Sequence, residues 1–287
     1  MRKHPLLAFF VLTFAITWGI GACYALFPDH VIAAFGPISH SNPLFYLAVY
    51  APSLSAIAMT AYADGIAGLR DLLSRLFRWR VGLQWYAAVF LGMPALIVAS
   101  AVLSAWLAHE PFQFGAGHRQ LALVPVLLTV VMDPGPLGEE LGWRGFALPR
   151  LLRGRSALSA SVILGFIWGF WHLPAFFIVG LPQSRLSIPA FMVGTTALSV
   201  LMTGVFQHTR GSILVAVVIH WIFNTDYLPR GSFPVLAVVL TVAALVVVGV
   251  SWPNWLSRKH DSSDADTARV QGRAHVFLEH PDSVITG

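Results

Sequence analysis

The chain has 287 residues, of which only 18 are Lys or Arg and 13 are Asp or Glu, so charged side chains make up 11% of it, against roughly 25% in an ordinary soluble domain. With 56% of positions hydrophobic, the charges are too few to cover a water-facing surface, which excludes disorder, a soluble nucleic-acid binder and a secreted disulfide scaffold as whole-chain descriptions. The single cysteine, Cys23, allows no internal disulfide, and a net charge of +5 is what basic membrane-anchoring loops would leave.

In chain order, Arg2 and Lys3 precede an apolar run over residues 6–27 that contains no charged side chain. At about 1.5 Å per residue it is long enough to cross a hydrocarbon layer of about 30 Å, and too long for a usual signal-peptide core. Similar runs follow at 44–62, 85–107, 121–137, 157–177, 188–206, 212–224 and 233–250. The expectation is an all-α, polytopic membrane helix bundle of about eight transmembrane helices over residues 1–256. The fourth and seventh runs are short or bounded by proline, as tilted or re-entrant segments would be.

Basic residues alternate between the two sides of these spans. Arg2 and Lys3, then Arg70, Arg75, Arg78 and Arg80, then Arg150, Arg153 and Arg155, then Arg210, and finally Arg258 and Lys259 fall on one side; Arg119, Arg185 and Arg230 fall on the other. By the positive-inside rule the richer side is cytoplasmic, which predicts a multi-pass protein of the cell membrane with both termini cytoplasmic. Between the second and third spans, Ile66, Leu69, Leu72, Leu73, Leu76, Phe77 and Val81 recur at helical spacing opposite Arg70, Asp71, Arg75 and Arg78. This pattern predicts an amphipathic helix lying at the membrane interface. Residues 257–287 are mixed and polar, as in a mostly disordered cytoplasmic tail.

Polar groups inside the spans are costly and mark functional interiors. In Gly138-Glu139-Glu140-Leu141-Gly142-Trp143-Arg144-Gly145, Glu140 and Arg144 are four apart and can pair on one helical face, while Glu139 points about 100° away. One carboxylate is then free for chemistry and the other tied to the arginine. His172 follows among large apolar neighbours in Trp168-Gly169-Phe170-Trp171-His172, and His220-Trp221-Ile222-Phe223-Asn224 puts an imidazole and a carboxamide on one face. Such a pair can donate to one developing oxyanion. His208, beside Thr209 and Arg210, reads as an interfacial residue.

Taken in order, Glu139-Glu140-x-x-x-Arg144, His172 and His220-x-x-x-Asn224 resemble the three motifs of the CPBP family. These are intramembrane proteases related to CAAX prenyl endopeptidases and to bacterial abortive-infection (Abi) proteins. The likeness covers roughly residues 120–226, with Trp168 standing where the family more usually has Phe. It implies an endopeptidase acting on a membrane-associated or CAAX-like substrate within the lipid bilayer, with no nucleic-acid partner. The catalytic set it implies is Glu139, Glu140, His172, His220 and Asn224, with Glu139 as general base, His172 positioning water, His220 and Asn224 holding the oxyanion, and Arg144 and Trp168 as support. Glu139 and Glu140 can exchange these roles.

A divalent metal, zinc first, bound by His172, His220 and Glu139, is an alternative to a metal-independent, glutamate-dependent mechanism, since these are the ligand types of catalytic zinc. Either way the groups are expected to converge on a water-sized cavity at the cytoplasmic side. A non-catalytic scaffold or bacteriocin-immunity protein on the same fold is the alternative of another class.

Overall fold

Helix α10 (Phe233–Val250) displays the logic of the whole chain. It is apolar all round, yet only Ala237, Leu240, Ala244 and Val248 are buried, one stripe at three- and four-residue spacing. Val238, Val242, Leu245, Val246 and Val250 are left exposed. An unshielded aliphatic face of this size belongs against lipid tails. The computed structural model of the chain describes residues 4–113, 128–130, 132–251 and 255–256; the expected tail at 257–287 lies outside the described residues.

Among the described residues, six helices are long and apolar enough to cross a membrane: Pro5–Leu26, Pro43–Phe77, Leu83–Ala108, Ala157–Phe177, Ile188–His208 and Phe233–Val250. The protein is an all-α, multi-pass membrane bundle, with six such helices among the described residues rather than about eight. The seventh expected span is helix α9 (Ile213–Asn224), only 12 residues long. At about 1.5 Å per residue it is too short to cross, and it is largely buried inside the bundle.

The fourth expected span, 121–137, falls partly outside the described residues. Its end is interrupted at Asp133, whose backbone is extended and whose side chain caps a new helix, α5 (Pro134–Glu140), by accepting from the Gly135 N–H. Proline at the first helical position and aspartate before it make a strong start signal. Helix α5 runs through a π turn at Leu141–Ala147 into α6 (Leu148–Leu152).

The remaining elements are α1 (Pro5–Leu26), α2 (Pro28–Phe35), α3 (Pro43–Ser74), α4 (Leu83–Ala108), α7 (Ala157–Trp171) and α8 (Ile188–His208). Helix α8 is the innermost, with every residue from Ala197 to Phe206 buried. The expected amphipathic helix is the last part of α3, beyond a break at Gly65, where φ is +66°, a backbone region that disfavours any side chain. In that segment Leu72 is buried, while Ile66, Leu73 and Phe77 face outward.

Two contacts seat the central motif segment. A Cβ on Gly142 would lie 2.6 Å from the backbone of Pro52, and one on Gly138 would lie 3.0 Å from the Tyr50 ring and the Val49 carbonyl oxygen, so α3 and the α5–π segment meet at a distance that only glycine permits. Helix α1 completes this wall through an edge contact of Phe9 on Trp143 (5.6 Å) and through Thr17, which donates to the Ala48 carbonyl (2.8 Å) and accepts from Trp171 Nε1 (2.9 Å).

Candidate active site

The π turn follows directly after Glu140, and such turns recur where a helix must re-aim side chains at functional sites. Glu139 and Glu140 are both buried and face different partners. Glu140 Oε1 accepts from Arg144 Nη1 at 2.9 Å and from His220 Nδ1 at 2.8 Å. Glu139 Oε2 accepts from the indole Nε1 of Trp168 at 2.6 Å and lies 4.0 Å from His172 Nε2. The 100° offset of adjacent helical residues thus sends one acid to α9 and the other to α7.

Trp168 is the common neighbour. The Arg144 guanidinium lies over its ring at 4.3 Å, a desolvated cation–π contact. His220 and His172 approach it edge-on, at centroid distances of 5.3 Å and 6.0 Å. The hydrogen bonds also define the imidazoles. His172 Nδ1 lies 2.8 Å from the Trp168 carbonyl oxygen, which can only accept, so Nδ1 carries a proton and Nε2 is directed toward Glu139. His220 Nδ1 donates to Glu140, leaving its Nε2 free for a second role.

Asn224, at the last turn of α9, is exposed, and its Nδ2 donates to Asp133 Oδ2 at 3.2 Å. Helices α5 and α9 run antiparallel here, pairing Asn224 with the start of α5 and His220 with its end. Between them lies Gly135. A Cβ there would sit 2.9 Å from Asn224 Nδ2 and 3.6 Å from Glu139 Oε1. The space beside the uncommitted oxygen of Glu139 therefore exists because residue 135 has no side chain.

All seven residues read from the sequence are thus placed about one centre: Glu139, Glu140, Arg144, Trp168, His172 and His220 pack together, and Asn224 stands at the rim. Asp133 and Gly135 were missed. Asp-Pro-Gly-Pro was legible as a helix start, but the hold of Asp133 on Asn224 joins positions far apart in sequence. His208, expected at an interface, stacks on Trp85 at 4.8 Å and lies 2.8 Å from the Gly204 carbonyl oxygen.

Arg75, Arg78, Arg150 and Arg210 gather at one end of the bundle, where Arg78 donates to the Arg210 carbonyl (2.9 Å) and Arg150 pairs with Asp64 (2.5 Å). Glu139 is about 16 Å along its helix from Arg150, and Asn224 opens toward the end that carries Arg230, which donates to the Asn224 carbonyl. Asp133 and Asn224 thus stand at the termini of α5 and α9 farther from the arginine-rich end, with Glu139 and Glu140 nearer to it along α5.

A family model described as "Type II CAAX prenyl endopeptidase Rce1-like" matches residues 119–225, the stretch that holds this whole constellation. Over that stretch the chain is similar to type II CAAX prenyl endopeptidases. A CAAX prenyl protease 2 of Methanococcus maripaludis is similar to it, at 28% identity over 186 residues, covering 61% of this chain and 68% of the relative. In this chain the aromatic four residues before His172 is an indole, so it supplies an N–H to Glu139 as well as a wall.

The donor types also suit a metal. Among the described residues no three His, Cys, Asp or Glu side chains are already grouped as a metal-holding set. His172 and His220 nevertheless each have Nδ1 fixed by an acceptor, which leaves Nε2 for a ligand, the outer-shell arrangement that orients metal-binding imidazoles.

Proposed function

We propose that the chain is an intramembrane endopeptidase that cleaves a peptide bond in a membrane-associated or CAAX-like substrate. The supporting observation is that the unbonded oxygen of Glu139, Oε1, lies beside the space at Gly135 and the Asn224 carboxamide, whereas the unbonded oxygen of Glu140, Oε2, is sealed in the interior. Water placed there gives its proton to Glu139 as it attacks the scissile carbonyl. The oxyanion so formed accepts hydrogen bonds from Asn224 Nδ2 and from His220 Nε2. When the tetrahedral intermediate collapses, Glu139 returns the proton to the leaving amine, so the enzyme ends as it began. His172 orients the water, and Glu140 with Arg144 holds His220.

His220 separates the two mechanistic forms. To donate to an oxyanion, Nε2 must carry a proton while Nδ1 donates to Glu140, so the ring is an imidazolium. To hold a metal, Nε2 must be bare. A zinc ion would be held by His172, His220 and Glu139 and would supply Lewis-acid polarisation of the carbonyl and acidification of water. The Glu140–Arg144 pair at 2.9 Å already divides the negative charge that would stabilise an imidazolium.

The test is cleavage of membrane peptides, prenylated and unprenylated, by purified protein, with metal content measured on the same sample. Cleavage lost in Glu139→Ala supports the reading. No cleavage by folded wild type, or unchanged cleavage by Glu139→Ala, overturns it and favours a non-catalytic scaffold. Activity that tracks a bound metal assigns the metal form.

A further inference from the structure

The arginine-rich end of the bundle holds a second polar site, apart from the proteolytic one. A cavity of about 460 Å³ is lined there by Arg75, Arg78, Arg150, Arg153 and Arg210. The acids facing it are Asp64 and Asp71. Asp71 is shared by Arg75 at 3.3 Å and Arg78 at 2.9 Å, and Asp64 is taken by Arg150 at 2.5 Å. Arg153 has no acidic partner among the described residues, and Arg210 donates to the Arg80 carbonyl. Positive charge therefore exceeds negative in a confined space, where like charges repel unless an anion joins them.

The site is built from segments far apart in sequence. Ser212 donates to the Arg78 carbonyl at 2.7 Å and Arg78 to the Arg210 carbonyl at 2.9 Å. These bonds fasten the α8–α9 loop, with Arg210 at φ +55°, onto the end of α3. The guanidiniums of Arg75, Arg78, Arg150 and Arg210 are thus held in place, and that of Arg153 stands exposed beside them.

The surroundings say which anion. Beyond the Gly65 break, Ile66, Phe77, Trp79 and Leu83 are 71%, 76%, 58% and 81% exposed, an apolar stripe bordering the same arginines. Trp79 stands between Arg78 and Arg80 in the connection from α3 to α4, and Trp beside Arg next to an outward-facing apolar helix is the composition of the headgroup layer. Guanidiniums match phosphate oxygens in forked geometry, and basic pockets between membrane helices hold anionic headgroups. We propose that this cavity binds the phosphate of an anionic phospholipid, with its acyl chains lying along the stripe from Ile66 to Leu83. The inference does not depend on proteolysis.

The test uses the full chain in phosphatidylcholine nanodiscs, with phosphatidylglycerol titrated in and retained lipid counted by native mass spectrometry alongside the unfolding midpoint. Wild type should retain phosphatidylglycerol and unfold at a higher temperature with it. Arg153→Gln, at an exposed position without an ion pair, should weaken retention by on the order of fivefold, and Arg75→Gln should do the same. Arg70→Gln, exposed and outside the cavity, should leave it unchanged. Equal retention by wild type, Arg153→Gln and Arg75→Gln overturns the proposal. An equal midpoint shift with inorganic phosphate alone, lost in Arg153→Gln, overturns the lipid assignment in favour of free phosphate.

Discussion

The indole Nε1 of Trp168 donates to Glu139 Oε2 at 2.6 Å, and this bond separates the two oxygens of the glutamate: one is held, the other faces the space at Gly135. The donor is one that a phenylalanine at this position cannot supply. Trp168→Phe keeps the aromatic wall but leaves Oε2 without it. Hydrogen bonds to charged groups contribute roughly 1.5–3 kcal/mol, so kcat should fall by about tenfold or more while KM changes little. Steady-state kinetics on a membrane peptide checks this, and a Phe variant with wild-type kcat would show the bond to be incidental.

Adjacent acids should fail in different ways. Glu139→Gln should lower the cleavage rate by about a hundredfold or more with little change in unfolding temperature. Glu140→Gln leaves Arg144, fully buried, without its carboxylate, and breaking a buried pair costs about 3–5 kcal/mol. Thermal unfolding in detergent should separate the two variants before any activity is measured.

Gly135→Ala tests the space between Asn224 and Glu139. The added methyl meets Asn224 Nδ2 at 2.9 Å, so the carboxamide must swing away. A displacement of that order costs about a hundredfold in rate when it misplaces a reacting group. The expected outcome is a large loss of kcat in a protein that unfolds near the wild-type temperature, because the end of the Asn224 side chain yields at low cost.

Asp133 has two tasks, and two substitutions divide them. Asp133→Asn retains an oxygen for the Gly135 N–H but turns an amide toward Asn224, so it should reduce kcat without loss of stability. Asp133→Ala should also lose about 1 kcal/mol of helix capping. Equal rates for Asp133→Asn and wild type would argue against a role for Asn224 at the oxyanion, whose own removal should cost about a hundredfold to a thousandfold.

Much of the site was legible because its parts are local patterns. Glu140 and Arg144 pair across one helical turn, and His220 and Asn224 share a helix at the same spacing, so residue identity and period were enough to select them. The division of labour between Glu139 and Glu140 was not legible. It depends on which acid meets α7 and which meets α9, and nothing within the Glu139–Glu140 segment encodes that.

Among the described residues the number of crossings differs from the expected one for a related reason. Ile213–Asn224 is as apolar as a membrane span, but its apolarity serves a buried helix of 12 residues, and hydropathy cannot tell lipid from protein interior. The expected run at 121–137 passes through Asp133, which is instead the cap of the motif helix.

Composition alone determined that this chain lives in a membrane, since 11% charged residues cannot cover a water-facing surface, and motif order alone determined where polarity would be concentrated. Tertiary structure decided the rest. It set the unbonded oxygen of Glu139 beside Gly135, brought Asp133 to Asn224, and gathered the arginines around a cavity of their own. The reason is physical: helix-forming and membrane-seeking tendencies are properties of neighbouring residues, whereas a hydrogen bond between Trp168 and Glu139, or between His220 and Glu140, exists only once separate helices have packed.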